Sequence, residues 1–86
     1  MKILIAEDDA VSRRVLEATL VKWGFEVVTT TAGGEAWAAI SAAGAPRLAI
    51  LDWMMPEMDG LEICRRARKR PDAQPLHIIL LTARGR

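Results

Sequence analysis

The chain opens on an unbroken apolar run, Ile3-Leu4-Ile5-Ala6, which ends abruptly in three acids, Glu7-Asp8-Asp9. A strand with one wet face alternates apolar and polar residues, so a continuous run predicts a strand covered on both faces. The period then changes: Val11, Val15, Leu16, Thr19, Leu20 and Trp23 recur at helical spacing, with Arg13, Arg14 and Glu17 on the other side and Gly24 as the stop. Phe25 to Thr30 carries β-branched residues and predicts a second strand. Gly33-Gly34 opens an Ala-rich helix that holds Trp37 and Ile40 and ends near Gly44. After Pro46, Leu48-Ala49-Ile50-Leu51 is another buried apolar run, and like the first it stops at an acid, Asp52. Pro56 and Gly60 make the next stretch a loop. Leu61 to Lys69 predicts a third helix with Leu61, Cys64 and either Ala67 or Arg68 as its inner stripe; Pro71 and Pro75 bracket a turn, and His77 to Leu81 predicts a fourth strand.

Strands alternating with helices imply an α/β fold, with right-handed crossovers and a parallel sheet that has helices on both faces. Ligands of such sheets bind beyond the carboxyl ends of the strands. The groups expected there are Glu7-Asp8-Asp9 after the first strand, Asp52 after the third and Thr82 after the fourth. Carboxylates brought together from separate strands repel each other unless a cation or a proton relieves them. A hard divalent ion is the natural partner, and magnesium, which takes one or two carboxylates with waters and a phosphate oxygen, suits this thin set of acids. Calcium fits less well, because a full oxygen cage is not visible.

Composition narrows the picture. The chain has 86 residues, enough for one domain, and its 51% hydrophobic and 27% charged content argues against disorder. Twelve Lys and Arg against 11 Asp and Glu leave a formal net charge of +1, which supplies no global field to draw in nucleic acid or a membrane. Met1-Lys2 is followed by only four apolar residues, so neither a signal peptide nor a membrane span is expected. A single cysteine, Cys64, allows no internal disulfide and no zinc site of its own, in keeping with a reducing, cytoplasmic setting.

Three motifs at matching separations, K-I-L-I-A-E-D-D, L-D-W-M-M-P-E-M-D-G and I-I-L-L-T-A, resemble the receiver domain of bacterial two-component response regulators. The resemblance runs through all 86 residues, read as one receiver domain. It implies a flavodoxin-like sheet of strand order 2-1-3-4. It also implies magnesium-dependent transfer of a phosphoryl group from a sensor histidine kinase to an aspartate, for which Asp52 matches the acceptor. Glu7 and Asp8 match the acidic pair, Asp8 a direct metal ligand and Glu7 largely through water. The backbone carbonyl of Met54 matches a further ligand, and Thr82 the switch hydroxyl. The family pattern continues through a further helix, a fifth strand ending in Lys-Pro and a last helix. A chain truncated after the fourth strand is expected to lack the phosphate-binding lysine and to transfer phosphoryl groups more slowly. It is also expected to form a homodimer, by pairing fourth-strand edges or by swapping elements, with Ile78, Ile79 or Leu80 in the interface.

Plainer roles compete for several residues. Asp9 is read as a helix cap or a solvated acid, and Met54, Met55 and Met58 as packing rather than soft-metal ligands. Arg65, Arg66, Arg68, Lys69 and Arg70 are read as a solvated helix end rather than a phosphate-backbone site. His77 is read as structural, Cys64 as a small core residue, and Trp53 as either rim shield or packing. Two other functions stay open: a phosphohydrolase passing through an aspartyl-phosphate, and a scaffold that only pairs with protein partners.

Overall fold

The structure, a computed structural model, describes residues 1–70 and 75–81. Strands and helices alternate throughout these residues: β1 (Lys2–Ala6), α1 (Ala10–Lys22), β2 (Glu26–Thr30), α2 (Gly33–Ser41), β3 (Leu48–Asp52), α3 (Gly60–Arg68) and β4 (His77–Leu81). The strands form one parallel sheet in the order β2-β1-β3-β4, as the resemblance implies. Central position explains the two continuous apolar runs. β1 lies between β2 and β3, β3 lies between β1 and β4, and both strands are buried along almost their whole length.

Alternation along the strands divides the core in two. Leu4, Ala6, Ala49 and Leu51 face one side and pack with Ala36 and Ile40 of α2 and Ile63 of α3. Ile3, Ile5 and Ile50 face the other side and pack with Leu20 of α1. Thus α2 and α3 share one face, while α1 packs over β1 and β2 on the opposite face. Ile79 of β4 stands in register with Ile50 on that second face, and is 54% exposed because α1 does not extend over it.

The inner stripes of two helices differ from those expected. Val11, Val15 and Trp23 are exposed, and α1 instead buries Leu20, with Leu16, Thr19 and Arg13 half-buried. Apolar residues surround too much of this helix for spacing alone to select the side that meets the sheet. In α3 the buried residues are Gly60, Ile63 and Ala67, whereas Leu61 is exposed and Cys64 half-buried. The helix start decides this orientation. The Asp59 carboxylate accepts from the Glu62 N–H at 2.8 Å, and Gly60 sits so close to the strand end that a Cβ there would lie 2.7 Å from the Asp52 carbonyl oxygen. With Gly60 turned inward, Ile63 and Ala67 follow on the same side by helical periodicity. Burial pushes the Cys64 thiol above its ordinary pKa, with only a smaller opposing pull from Arg68.

Gly24 ends α1 as expected. It adopts φ +94°, its N–H donates to the Val21 carbonyl at 3.0 Å, and the Phe25 N–H reaches back to the Leu20 carbonyl at 3.0 Å. This pair of bonds is the left-handed termination that glycine makes cheaply. It turns the chain directly into β2.

Packing predicts a contrast between two truncations. Leu51→Ala removes a fully buried side chain and is expected to lower unfolding free energy by about 2–5 kcal/mol. Val15→Ala, on the exposed side of α1, is expected to change it by no more than about 0.5 kcal/mol. Urea denaturation followed by circular dichroism checks both.

Candidate functional site

Register brings the acids together. Ala6 of β1 pairs with Leu51 of β3, so the residues that follow, Glu7 and Asp52, stand side by side at the carboxyl edge of the sheet. Glu7 is 5% exposed and Asp52 3% exposed, while Asp8 stands at the open side. Glu7, Asp8 and Asp52 each offer a carboxylate oxygen, and these oxygens all lie within 4.8 Å of one another.

The corner between β1 and α1 is tied on several sides. The Glu7 N–H donates to the Thr30 carbonyl at 3.2 Å, which extends the β1–β2 pairing by one residue. The Glu7 carboxylate accepts from the Asp9 N–H at 3.0 Å, and its carbonyl accepts from the Arg13 guanidinium at 2.9 Å. The Asp9 carboxylate accepts from the Ser12 N–H at 2.8 Å, so Asp9 is the N-cap of α1. Beneath this corner the buried Thr30 hydroxyl donates to the Ile5 carbonyl at 3.0 Å.

On the other side, Asp52 closes β3. Its Oδ1 accepts from the Met54 N–H at a long 3.4 Å, the Trp53 N–H donates to the Leu81 carbonyl at 3.1 Å, and the Gly60 N–H returns to the Trp53 carbonyl at 2.9 Å. The strand ends at Asp52, and Trp53, 42% exposed, lies at the rim. Met55 and Met58 pack against the core as expected, but the Met54 side chain is exposed. Its place in the loop, two residues beyond the strand, lifts it clear of the sheet. Thr82, the remaining site residue expected from sequence, lies outside the described residues.

Sequence reasoning missed two contributors. The helical spacing predicts Arg13 on the outer side of α1, yet its guanidinium folds back to the Glu7 carbonyl; its position in the first turn after the Asp9 cap is the signal that the sequence carries. Thr30 reads as an ordinary β-branched strand residue, and only the β1–β2 register shows that it ends against Ala6.

The three oxygens form an all-carboxylate set with two members buried, a donor chemistry that matches a hard divalent cation and offers nothing to a soft one. Magnesium fits these residues. Among the described residues, no helix is long and apolar enough to cross a membrane.

Comparison with known proteins agrees with this geometry. A family model described as the response regulator receiver domain matches residues 3–86. The phosphate regulon transcriptional regulatory protein PhoB of Rhizobium meliloti is 45% identical over 84 residues, which are 98% of this chain and 37% of that protein. Among solved structures, the signal receiver domain of a histidine kinase from Syntrophus aciditrophicus superposes with a TM-score of 0.86 at 37% identity, covering 94% of this chain and 61% of that one. The receiver domain of the sensor histidine kinase PA1611 from Pseudomonas aeruginosa, solved with a magnesium ion coordinated in its active site cleft, superposes with a TM-score of 0.83 at 30% identity, covering 95% of this chain and 66% of that one. The chain therefore spans about a third of the length of its PhoB relative and roughly three fifths to two thirds of these two receiver structures. With its parallel sheet of order β2-β1-β3-β4 and its acids gathered at the carboxyl edge, the chain belongs to the response regulator receiver domain family.

Proposed function

We propose that the chain is a phosphoacceptor module of two-component signalling, in which Asp52 takes a phosphoryl group from the phosphohistidine of a sensor kinase. The observation that carries this reading is the cluster of Glu7, Asp8 and Asp52 at the carboxyl edge of a receiver-type sheet. An Asp52 carboxylate oxygen attacks phosphorus, the P–N bond to the donor imidazole breaks, and the electron pair leaves with that nitrogen. The product is an acyl phosphate on Asp52 and a free imidazole. A carboxylate needs no prior deprotonation for this step, so positioning does most of the work.

Asp8, Asp52 and the Met54 carbonyl would hold magnesium directly, with Glu7 acting largely through water. The bound ion would supply positive charge against the phosphoryl oxygens. Burial fixes the reacting side chain, since Asp52 sits at the end of a strand paired on both sides. Thr82 directly follows β4 in sequence and is proposed as the switch hydroxyl that registers the new phosphoryl group. The module acts as a regulatory acceptor rather than as a turnover enzyme, and its proposed location is the cytoplasm, with the sensor kinase as its partner.

A second partner is another copy of the chain. Among the described residues no strand pairs with the outer edge of β4, and Ile79 stands exposed there. An apolar edge with unpaired backbone groups is a template for a further strand. A two-fold axis would pair the β4 strands of two copies in antiparallel fashion through one self-complementary contact.

Incubation with a small acyl phosphate and magnesium should give one labile adduct by intact mass, absent in Asp52→Asn and absent in chelator. An adduct that survives either change overturns the acceptor assignment. Magnesium titration should quench Trp53 fluorescence saturably in the wild type and fail to do so in Asp8→Ala. For the pairing of copies, light scattering should show a dimer at micromolar concentration that Ile79→Lys converts to a folded monomer; a monomeric wild type overturns that arrangement.

A further inference from the structure

The loop that follows Asp52 is seated on a helix from another part of the chain. The first residue before α2 is Ala32, which has no side chain able to cap the helix, so the N–H groups of the first turn need acceptors from elsewhere. Two come from residues of the β3–α3 loop. The Gly33 N–H donates to the Pro56 carbonyl at 3.0 Å, and the Gly34 N–H donates to Glu57 Oε1 at 3.0 Å. A carboxylate at a helix N-terminus also meets the positive end of the helix dipole. Glu35, the acid within the first turn of α2, does not fill this role. It turns back to the Thr31 N–H at 2.8 Å and the Thr31 hydroxyl at 3.1 Å, and the first of these bonds chiefly holds its carboxyl below the usual pKa.

The fit between loop and helix is specific. A Cβ on Gly33 would overlap the Met58 carbonyl, and one on Gly34 would overlap the Glu57 carboxylate. Glu57 itself adopts φ +74°, a left-handed conformation unusual for any residue but glycine, asparagine or aspartate. A backbone state of that kind persists where its surroundings hold it. Here the Met58 N–H donates to the Pro56 carbonyl at 2.8 Å, and Met55 and Met58 pack into the core cluster that includes Ala36 of α2.

Within the part of the loop nearest the acids, Met54 has little anchorage of its own. The Met54 side chain is exposed, and its N–H reaches Asp52 Oδ1 only at 3.4 Å. The position of the Met54 carbonyl therefore depends on what holds the chain on either side of it, Trp53 before and, beyond the packed Met55, Pro56 and Glu57. We propose that Glu57 is a positioning residue of the phosphoacceptor site: by bonding the Gly34 N–H it fixes the β3–α3 loop against α2 and so places the Met54 carbonyl for a metal ion beside Asp52. This role rests on the functional reading given above.

Magnesium titration followed by Trp53 fluorescence tests it, with the wild type, Glu57→Ala and Glu57→Gln compared. Removing a group that holds a metal ligand in place typically weakens binding by ten- to a hundredfold, so Glu57→Ala should raise the magnesium Kd by about tenfold or more, and Glu57→Gln, which keeps Oε1 as an acceptor, by less than about threefold. Hydrogen exchange should show the Gly34 amide exposed in Glu57→Ala and protected in Glu57→Gln, with circular dichroism reporting that both are folded. A wild-type response matched by a folded Glu57→Ala overturns the positioning role alone. So does equal weakening in both variants, because the hydrogen bond would then not be the cause. A wild type with no saturable response overturns the metal reading, and the positioning role falls with it.

Discussion

In-register pairing of β1 with β3 sets Ala6 against Leu51, and nearly everything in this molecule depends on that alignment. It brings two strands that each end in acid to the same height at one edge of the sheet. A slip by one residue would turn every side chain of a strand to the opposite face. Leu4 and Ala6 would leave the cluster they share with Ile40 and Ile63, and Glu7 would no longer stand beside Asp52. The apolar core and the acidic site are thus two consequences of one register, and packing energy from the first maintains the second.

Holding Glu7 and Asp52 almost completely buried and close together carries an electrostatic cost. The fold meets it with local hydrogen bonds: the Asp9 N–H serves the Glu7 carboxylate, and the Arg13 guanidinium holds the Glu7 carbonyl. A cation among these oxygens would relieve the repulsion. The site is in this sense prepared for an ion by the same contacts that stabilise the corner. The second loop follows another logic. It is anchored through α2, at Gly33 and Gly34, so the surroundings of Asp52 are linked to a helix whose other residues, Ala36 and Ile40, lie in the main core.

The two faces of the sheet are unequal. Among the described residues, α2 and α3 cover one face together, whereas α1 serves the other, chiefly over β1 and β2. Exposure of Ile79, at 54%, accompanies that arrangement. A narrow helix on a half-covered face buries a narrow stripe.

The sequence by itself determined the element order, the two central strands and the identity of the acids, because those signals are local: a continuous apolar run means burial on both faces, and an acid at its end marks the carboxyl edge. It also contained Asp9 as a cap and Gly24 as a terminator, since each acts within a few residues of its own position. Tertiary structure alone decided the rest. Val15 and Leu16 are both apolar neighbours on α1, and only the sheet's placement makes one exposed and the other half-buried. Ile63 replaced Leu61 as the inner residue of α3 because Gly60 had to approach the Asp52 carbonyl, a contact between segments that spacing does not record. Glu57 on Gly34 likewise joins atoms whose proximity arises from folding, and a hydrogen bond across such a separation leaves no periodic mark on the chain.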